Sequence, residues 1–142
     1  MENPQWQVPQ DLYYDREDYW VEITGNEAKI GITAFGQNNT GDVLYLELPP
    51  EGTVLTRGDK TGSIESGKWV GKLSVPLSGK VLQYNNEVET KPYIVNQDAY
   101  GTGWLYRIKL SNLDEINELM NADTYRCWIE GQIKQEQENA AI

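Results

Sequence analysis

The sequence predicts a small, mostly β domain closed by a C-terminal helical segment, and three observations carry that expectation. Short runs of alternating polar and apolar residues, each bounded by Gly, Pro, Asn or Asp, recur from Tyr19 to Leu110. After Leu110 the apolar spacing changes from two residues to three or four. The length, 142 residues, suits one domain large enough to bury a core.

Residues 1–11 hold two prolines and three glutamines and read as a flexible N-terminal arm. The domain is expected over 12–133, with 134–142 as a polar tail that frays. Residues 19–24 and 28–33 alternate on either side of Gly25-Asn26, which is a hairpin pattern. Residues 34–41 allow one helical turn, stopped at Gly41. A strand over 43–48 ends at Pro49-Pro50, because proline cannot donate to a ladder. Val54-Leu55, a turn near Arg57-Gly58-Asp59, and strands over 62–66, 80–84 and 104–110 follow. Between the last two, residues 85–97 are polar and irregular, with a short helical turn near Ile94. Ser111 and Asp114 resemble an N-cap and an acidic first turn. Leu113, Ile116, Leu119 and Met120 then form one helical stripe, and Tyr125, Trp128, Ile129 and Ile133 a second.

Composition narrows the function. The net charge is −10, from 22 acidic and 12 basic residues without a basic cluster, which argues against nucleic acid. Partners with positive docking surfaces suit it better. No apolar run approaches the ~20 residues that span a bilayer, and the start lacks the basic-then-apolar pattern of a secretory signal, which favours the cytoplasm. One cysteine and no histidine exclude an intramolecular disulfide, Cys/His zinc sites and histidine-based catalysis. Cys127, beside Trp128, reads as a packed or incidental thiol. A carrier or binding role therefore gains weight over catalysis, and neither catalytic nor metal-binding residues are expected.

Residues 64–76 (I-E-S-G-K-W-V-G-K-L-S-V-P) are the most informative stretch. A strand-like run ends at Glu65-Ser66, Gly67 breaks it, and Trp69-Val70 begins the return. Lys68 thus falls at a hairpin tip, where a modifying enzyme could reach its amine. Taken locally, a solvated loop lysine beside a packing tryptophan explains the same residues.

Several segments together resemble the H protein of the glycine cleavage system and its lipoate-bearing relatives. They are L-Y-Y-D-R-E-D-Y-W-V (12–21), G-I-T-A-F-G-Q (31–37), G-D-V-L-Y-L-E-L-P (41–49), E-S-G-K-W-V-G-K-L-S-V-P-L-S-G-K-V (65–81) and N-Q-D-A-Y-G-T-G-W-L (96–105), joined by L-M-N-A-D-T-Y (119–125). The resemblance implies a lipoyl domain of the barrel-sandwich hybrid type, two small antiparallel sheets with a C-terminal helical segment. It places the lipoyl attachment on Lys68, with Glu65, Ser66, Gly67, Trp69, Lys72 and Tyr19 around the cofactor. The partners implied are a lipoate ligase or lipoyl transferase, and the enzymes that the arm serves. Amide formation removes one positive charge, taking the net charge from −10 to −11.

The chain departs from the glycine-cleavage pattern in one direction. Asp18 and Tyr19 stand where His-Glu is usual, Ala34 where G-I-T meets an aspartate, and Lys72 where an aspartate follows the lysine. A carboxylate would stabilise a cationic cargo, which Lys72 opposes; Lys72 suits an anionic or oxidised sulfur cargo better. Asp18 nevertheless remains acidic next to Tyr19. The E-S-G-K-W-V-G variant is similar to the H-like lipoate-binding proteins of sulfur oxidation, which work in the cytoplasm with a heterodisulfide-reductase-like complex. The expectation is accordingly a non-catalytic lipoyl carrier of sulfur oxidation. The alternatives are a glycine cleavage H protein with an aminomethyl cargo and an unmodified H-like interaction module. Asp98-Ala99-Tyr100 and residues 101–104 fit either walls for the arm or glycine-rich turn packing.

Overall fold

The computed structural model describes residues 6–140. Nine strands form two antiparallel sheets among these residues. The larger is built from β1 (Tyr13–Tyr14), β2 (Tyr19–Thr24), β3 (Glu27–Ile32), β5 (Val54–Leu55), β8 (Gly79–Tyr84) and β9 (Tyr106–Leu110), in the order β1-β2-β3-β9-β8-β5. The smaller holds β4 (Val43–Glu47), β6 (Lys60–Ser66) and β7 (Val70–Ser74), with β6 in the middle. The hairpin expected at Gly25-Asn26 pairs β2 with β3 from Tyr19↔Ile32 to Thr24↔Glu27. Pairing of β3 with β9 then closes the sheet over a long sequence separation, Glu27 lying opposite Lys109.

The period-2 pattern explains the layers. Val21, Ile30, Val81 and Ile108 of the larger sheet and Leu46, Ile64 and Leu73 of the smaller point inward and are buried in one core. Leucine- or isoleucine-to-alanine changes in such a layer cost about 2–5 kcal/mol, so this core holds the scaffold rigid. A β-bulge between Val43 and Tyr45 breaks the alternation in β4, and both Leu44 and Tyr45 face solvent.

Short helices occupy the connections: α1 (Ala34–Thr40), α2 (Asn86–Thr90) and α3 (Ile94–Gln97). Thr33 caps α1 by accepting the Gly36 N–H, and Gly41 ends it at φ 88°. The expected helical start near Ser111 is a 3-10 turn over Leu113–Glu118 capped by Asn112, and Leu113 remains exposed. Six residues of 3-10 geometry do not keep an α-helical stripe in register, so the first stripe packs only in part.

The second stripe lies on α4 (Ala122–Ala140). Tyr125 and Ile129 are buried with Tyr14, Trp20 and Phe35, and Tyr125 stacks on Tyr14 at 4.4 Å. This helix continues to Ala140, past the point where the polar tail was expected to fray. The described part of the expected N-terminal arm is also seated. Val8 is buried, Pro9 C=O accepts the Tyr14 hydroxyl at 2.6 Å, and Gln7 C=O accepts that of Tyr100. Aromatic hydroxyls anchoring a proline-rich backbone leave no periodic signal in sequence. Residues 1–5 and 141–142 lie outside the described range. Cys127 is exposed on α4, so of its two readings the incidental thiol fits.

Candidate functional site

The β6–β7 hairpin presents Lys68 as its sequence suggested. Glu65↔Val70 is the last pair, and the Ser66 N–H donates to Trp69 C=O at 2.8 Å to close a four-residue turn around Gly67 and Lys68. Ser66 is buried and its hydroxyl donates to Thr40 C=O at 2.5 Å, tying the tip to the end of α1. Lys68 runs past Gly41, where an added Cβ would lie 3.0 Å from the lysine Cε. Its exposed ammonium lies 3.4 Å from Asn38 C=O, a long contact.

Sequence reasoning missed the clamp behind this platform. Asn96, in α3, accepts the Val43 N–H at 2.8 Å and donates to Gly41 C=O at 3.0 Å and to the Gln37 side chain at 2.8 Å. One side chain thus joins the end of α1 to the start of β4. The available signal was its place in the N-Q-D-A-Y block, which local polarity alone does not interpret. Replacing Ser66 by Ala should test the rigidity of the tip from the other side. The substitution leaves Thr40 C=O without its buried partner and is expected to cost about 1–2 kcal/mol of stability. An unchanged denaturant midpoint would show that the hydroxyl is not an anchor.

Lys68 stands at the mouth of a cleft of about 400 Å³. Asp18, Tyr19, Ile32 and Gly36 contribute one wall, and Lys60, Ile64, Trp69 and Lys72 the other. Trp69 is half exposed and its indole lies over Gly71, where a Cβ would come within 2.4 Å of the ring. Gly71 is therefore what lets Trp69 fold back onto the strand as an apolar plate. Tyr19 lines the cleft, but it is 7% exposed and its hydroxyl accepts the Ser74 N–H at 3.0 Å. It stitches β2 to β7 more than it offers itself to a cargo. Glu65 does not line the cleft; it faces outward between Tyr45 and Val70. Residues 98–104 are also away from it: Asp98 accepts the Thr102 N–H and hydroxyl, and Trp104 packs under Lys29. Turn packing is the reading that fits them. A larger cavity of about 550 Å³, lined by Asp15, Arg57 and Glu118 among others, does not include Lys68.

Asp18 is the unusual residue of the cleft. It is the non-glycine residue of the described chain with positive φ, 69°, held there by Thr33 N–H donating to its C=O at 2.9 Å. Its Oδ1 accepts the Tyr125 hydroxyl at 2.8 Å, and that hydroxyl also bonds Thr33 Oγ1 at 2.7 Å. Burial pushes the Asp18 carboxyl up to about 7, with the Tyr125 hydrogen bond opposing and the negative Asp15 and Glu17 adding to the rise. Burial likewise raises Asp15 to about 6 against the pull of the Tyr19 and Glu17 amides. The arrangement thus combines an exposed primary amine, an apolar plate, two further lysines and a carboxyl that titrates near neutrality.

A family model described as the glycine cleavage H-protein matches residues 12–132. The chain belongs to the glycine cleavage H-protein family. It is 42% identical over 123 residues to a glycine cleavage system H protein of Carboxydothermus hydrogenoformans, covering 87% of this chain and 95% of that one. It is 43% identical over 118 residues to the H protein of Salinibacter ruber, covering 83% and 95%. The crystal structure of a glycine cleavage system H protein from Mycobacterium marinum superposes with a TM-score of 0.79 at 29% identity, over 87% of this chain and 99% of that one. The fold expected from the resemblance, two antiparallel sheets with a C-terminal helix, is the fold of this H-protein-family member. The names of these relatives favour the glycine-cleavage reading over sulfur oxidation, which was the first expectation. No helix among the described residues is long and apolar enough to cross a membrane.

Proposed function

We propose that this protein is a non-catalytic lipoyl carrier of the glycine cleavage system, with lipoate amide-linked to Lys68. The observation that carries the proposal is the exposed Lys68 amine on a braced hairpin tip, at the mouth of a cleft with an apolar plate and the carboxyls of Glu17 and Asp18. The residues fit such a group: the ammonium rests on Asn38 C=O at 3.4 Å, and Ile32, Ile64 and Trp69 offer apolar surface in the same cleft. When attached, lipoate supplies a redox-active disulfide whose sulfurs accept and hand on a small group. The protein's own part is positional. Ser66, Gly41 and Asn96 fix the anchor, and the rigid scaffold raises the effective concentration of the arm's end at each partner enzyme. Lys68 with Ser66, Gly67, Trp69, Lys72 and Tyr19 forms the assigned site, within a functional unit spanning 12–133 and working in the cytoplasm; Glu65, expected in this shell, faces outward instead. The partners are the ligase or transferase that attaches lipoate and the glycine cleavage enzymes.

One observation favours a second reading. Lys60 and Lys72 line the cleft, and Tyr19 occupies it in place of a carboxylate. Those cations suit an anionic sulfur cargo, delivered to a heterodisulfide-reductase-like complex. Intact mass separates the readings. Lipoylated protein offered to glycine decarboxylase and glycine should gain the mass of a one-carbon amine. Failure to load, beside an H protein that loads normally, would overturn the glycine-cleavage assignment in favour of the sulfur cargo. Protein from its native host that lacks any mass gain on Lys68 would overturn both and leave an unmodified interaction module.

A further inference from the structure

The outer face of the small sheet carries exposed apolar residues that the carrier role does not use. The β4 bulge turns Leu44 and Tyr45 outward together, and they are 63% and 48% exposed. In register across the sheet, Tyr45 lies opposite Glu65, and Glu65 opposite Val70, which is 71% exposed. That row ends at the turn holding Lys68. Glu47, on the same strand, accepts the Tyr45 hydroxyl at 3.4 Å, so acidic groups rim the aromatic ring. Without the bulge, strict alternation would put one of the two apolar side chains inside.

We propose that this face, centred on Tyr45 with Leu44 and Val70, is the docking surface for the enzyme that acylates Lys68, a partner with a basic rim around an apolar pocket. The inference rests on the lipoyl reading of Lys68 and adds the surface by which it is modified. Reach decides which partner uses the face. Before modification the reacting atom is the lysine Nζ itself, held close to the tip and resting on Asn38 C=O. An enzyme must therefore cover the tip and the strand ends next to it to bring that amine to its active site. Enzymes that meet the long arm afterwards have no such requirement. In the acylation step the deprotonated amine attacks the carbonyl of a lipoyl adenylate. The new C–N bond replaces the acyl C–O bond, AMP leaves, and the amine's second proton passes to a base of the enzyme. Acidic Glu47 and Glu65 beside Tyr45 and Val70 complement a cationic rim and steer its approach. Tyrosine is among the residue types that dominate binding hot spots, and Tyr45 is the centre of this face.

The test uses the full-length protein, a lipoate ligase, lipoate and ATP, with the mass gain on Lys68 followed over time. Tyr45→Ala combined with Val70→Ala should lower kcat/KM for acylation about tenfold, chiefly through KM, with the unfolding midpoint unchanged. Glu47→Lys should also raise KM and weaken its dependence on salt. Val54→Ala, equally exposed on β5 of the other sheet, serves as the control and should match the wild type. Equal acylation rates in the double variant and the wild type would overturn the docking face alone. Unimpaired acylation with defective loading of the pre-lipoylated variant would give the face to a downstream enzyme and overturn the proposal. Loss of a wild-type dimer in the variant at unchanged acylation would give it to a second copy of the chain. A wild-type protein that gains no mass at Lys68 would instead overturn the lipoyl reading beneath it.

Discussion

Lys68→Arg is expected to abolish lipoylation and every carrier activity while leaving the fold intact. Arginine keeps the positive charge and nearly the length, so the tip's electrostatics change little before modification. Its guanidinium stays protonated and is no nucleophile toward an acyl donor. The stability change should stay within about 0.5 kcal/mol, because the lysine is exposed and its ammonium contact to Asn38 C=O is 3.4 Å long. Incubation with ligase, lipoate and ATP should give no mass gain on the variant, and the wild type a single one. Acylation of another lysine, or a large drop in the unfolding midpoint, would contradict the placement of Lys68 as a free anchor on a braced turn.

The parts of the fold that were legible in the sequence are those written in local chemistry. Alternation on both sides of Gly25-Asn26 and of Gly67-Lys68 gives two hairpins, and Gly41 ends α1. What was not legible depends on contacts between distant residues. β1 is two residues long and shows no period; it exists because Tyr13 and Tyr14 find Val21 and Trp20 across the turn at Asp15. The division into two sheets follows from β3 pairing with β9, which no local pattern announces. The site divides in the same way. Lys68 and its turn were readable from the tip motif, and Lys72, Trp69 and Tyr19 do reach the cleft. Asn96 was hidden in a polar stretch, and Glu65 proved to face away, because strand parity puts it on the outer row with Tyr45 and Val70. Asp18 was visible only as an acidic neighbour. Its backbone conformation and burial come from packing against Gly36 and Tyr125.

The cleft presents opposite charges to whatever the arm brings into it, and this bears on the cargo. Lys60 and Lys72 lie on one wall and Glu17 and Asp18 on the other. The family's usual carboxylate position holds Tyr19, whose hydroxyl already receives the Ser74 amide. A cationic one-carbon cargo therefore meets Glu17 as well as Asp18 on that wall, and Asp18 serves as a counter-charge only when its carboxyl is ionised. An anionic sulfur cargo would draw on Lys60 and Lys72 instead.

Asp18→Asn should stabilise the protein, and increasingly so as the pH rises. The folded-state value is about 7, against an ordinary aspartate value near 4, so the fold favours the protonated form. The sign follows: this contribution to stability is fully present below about pH 4 and is lost as the pH climbs through about 7. Above that, the charged carboxylate sits partly buried next to Asp15 and Glu17 at a cost the amide does not carry. Asparagine also tolerates φ 69° well, and its Oδ1 can keep the Tyr125 hydroxyl bond. Allowing for residual solvent screening, the gain should reach roughly 2 kcal/mol at pH 8 and shrink toward zero at pH 4. The variant should keep a weaker pH dependence between about 4 and 6, from Asp15. Denaturant titrations of both proteins between pH 4 and 8 measure the gap, and a gap independent of pH would refute the burial of Asp18 as its cause. Asp18 lines the same cleft as Lys68, so its charge faces whatever the arm brings there. The same variant, once lipoylated, should thus load or retain a cationic cargo less well although it is the more stable protein.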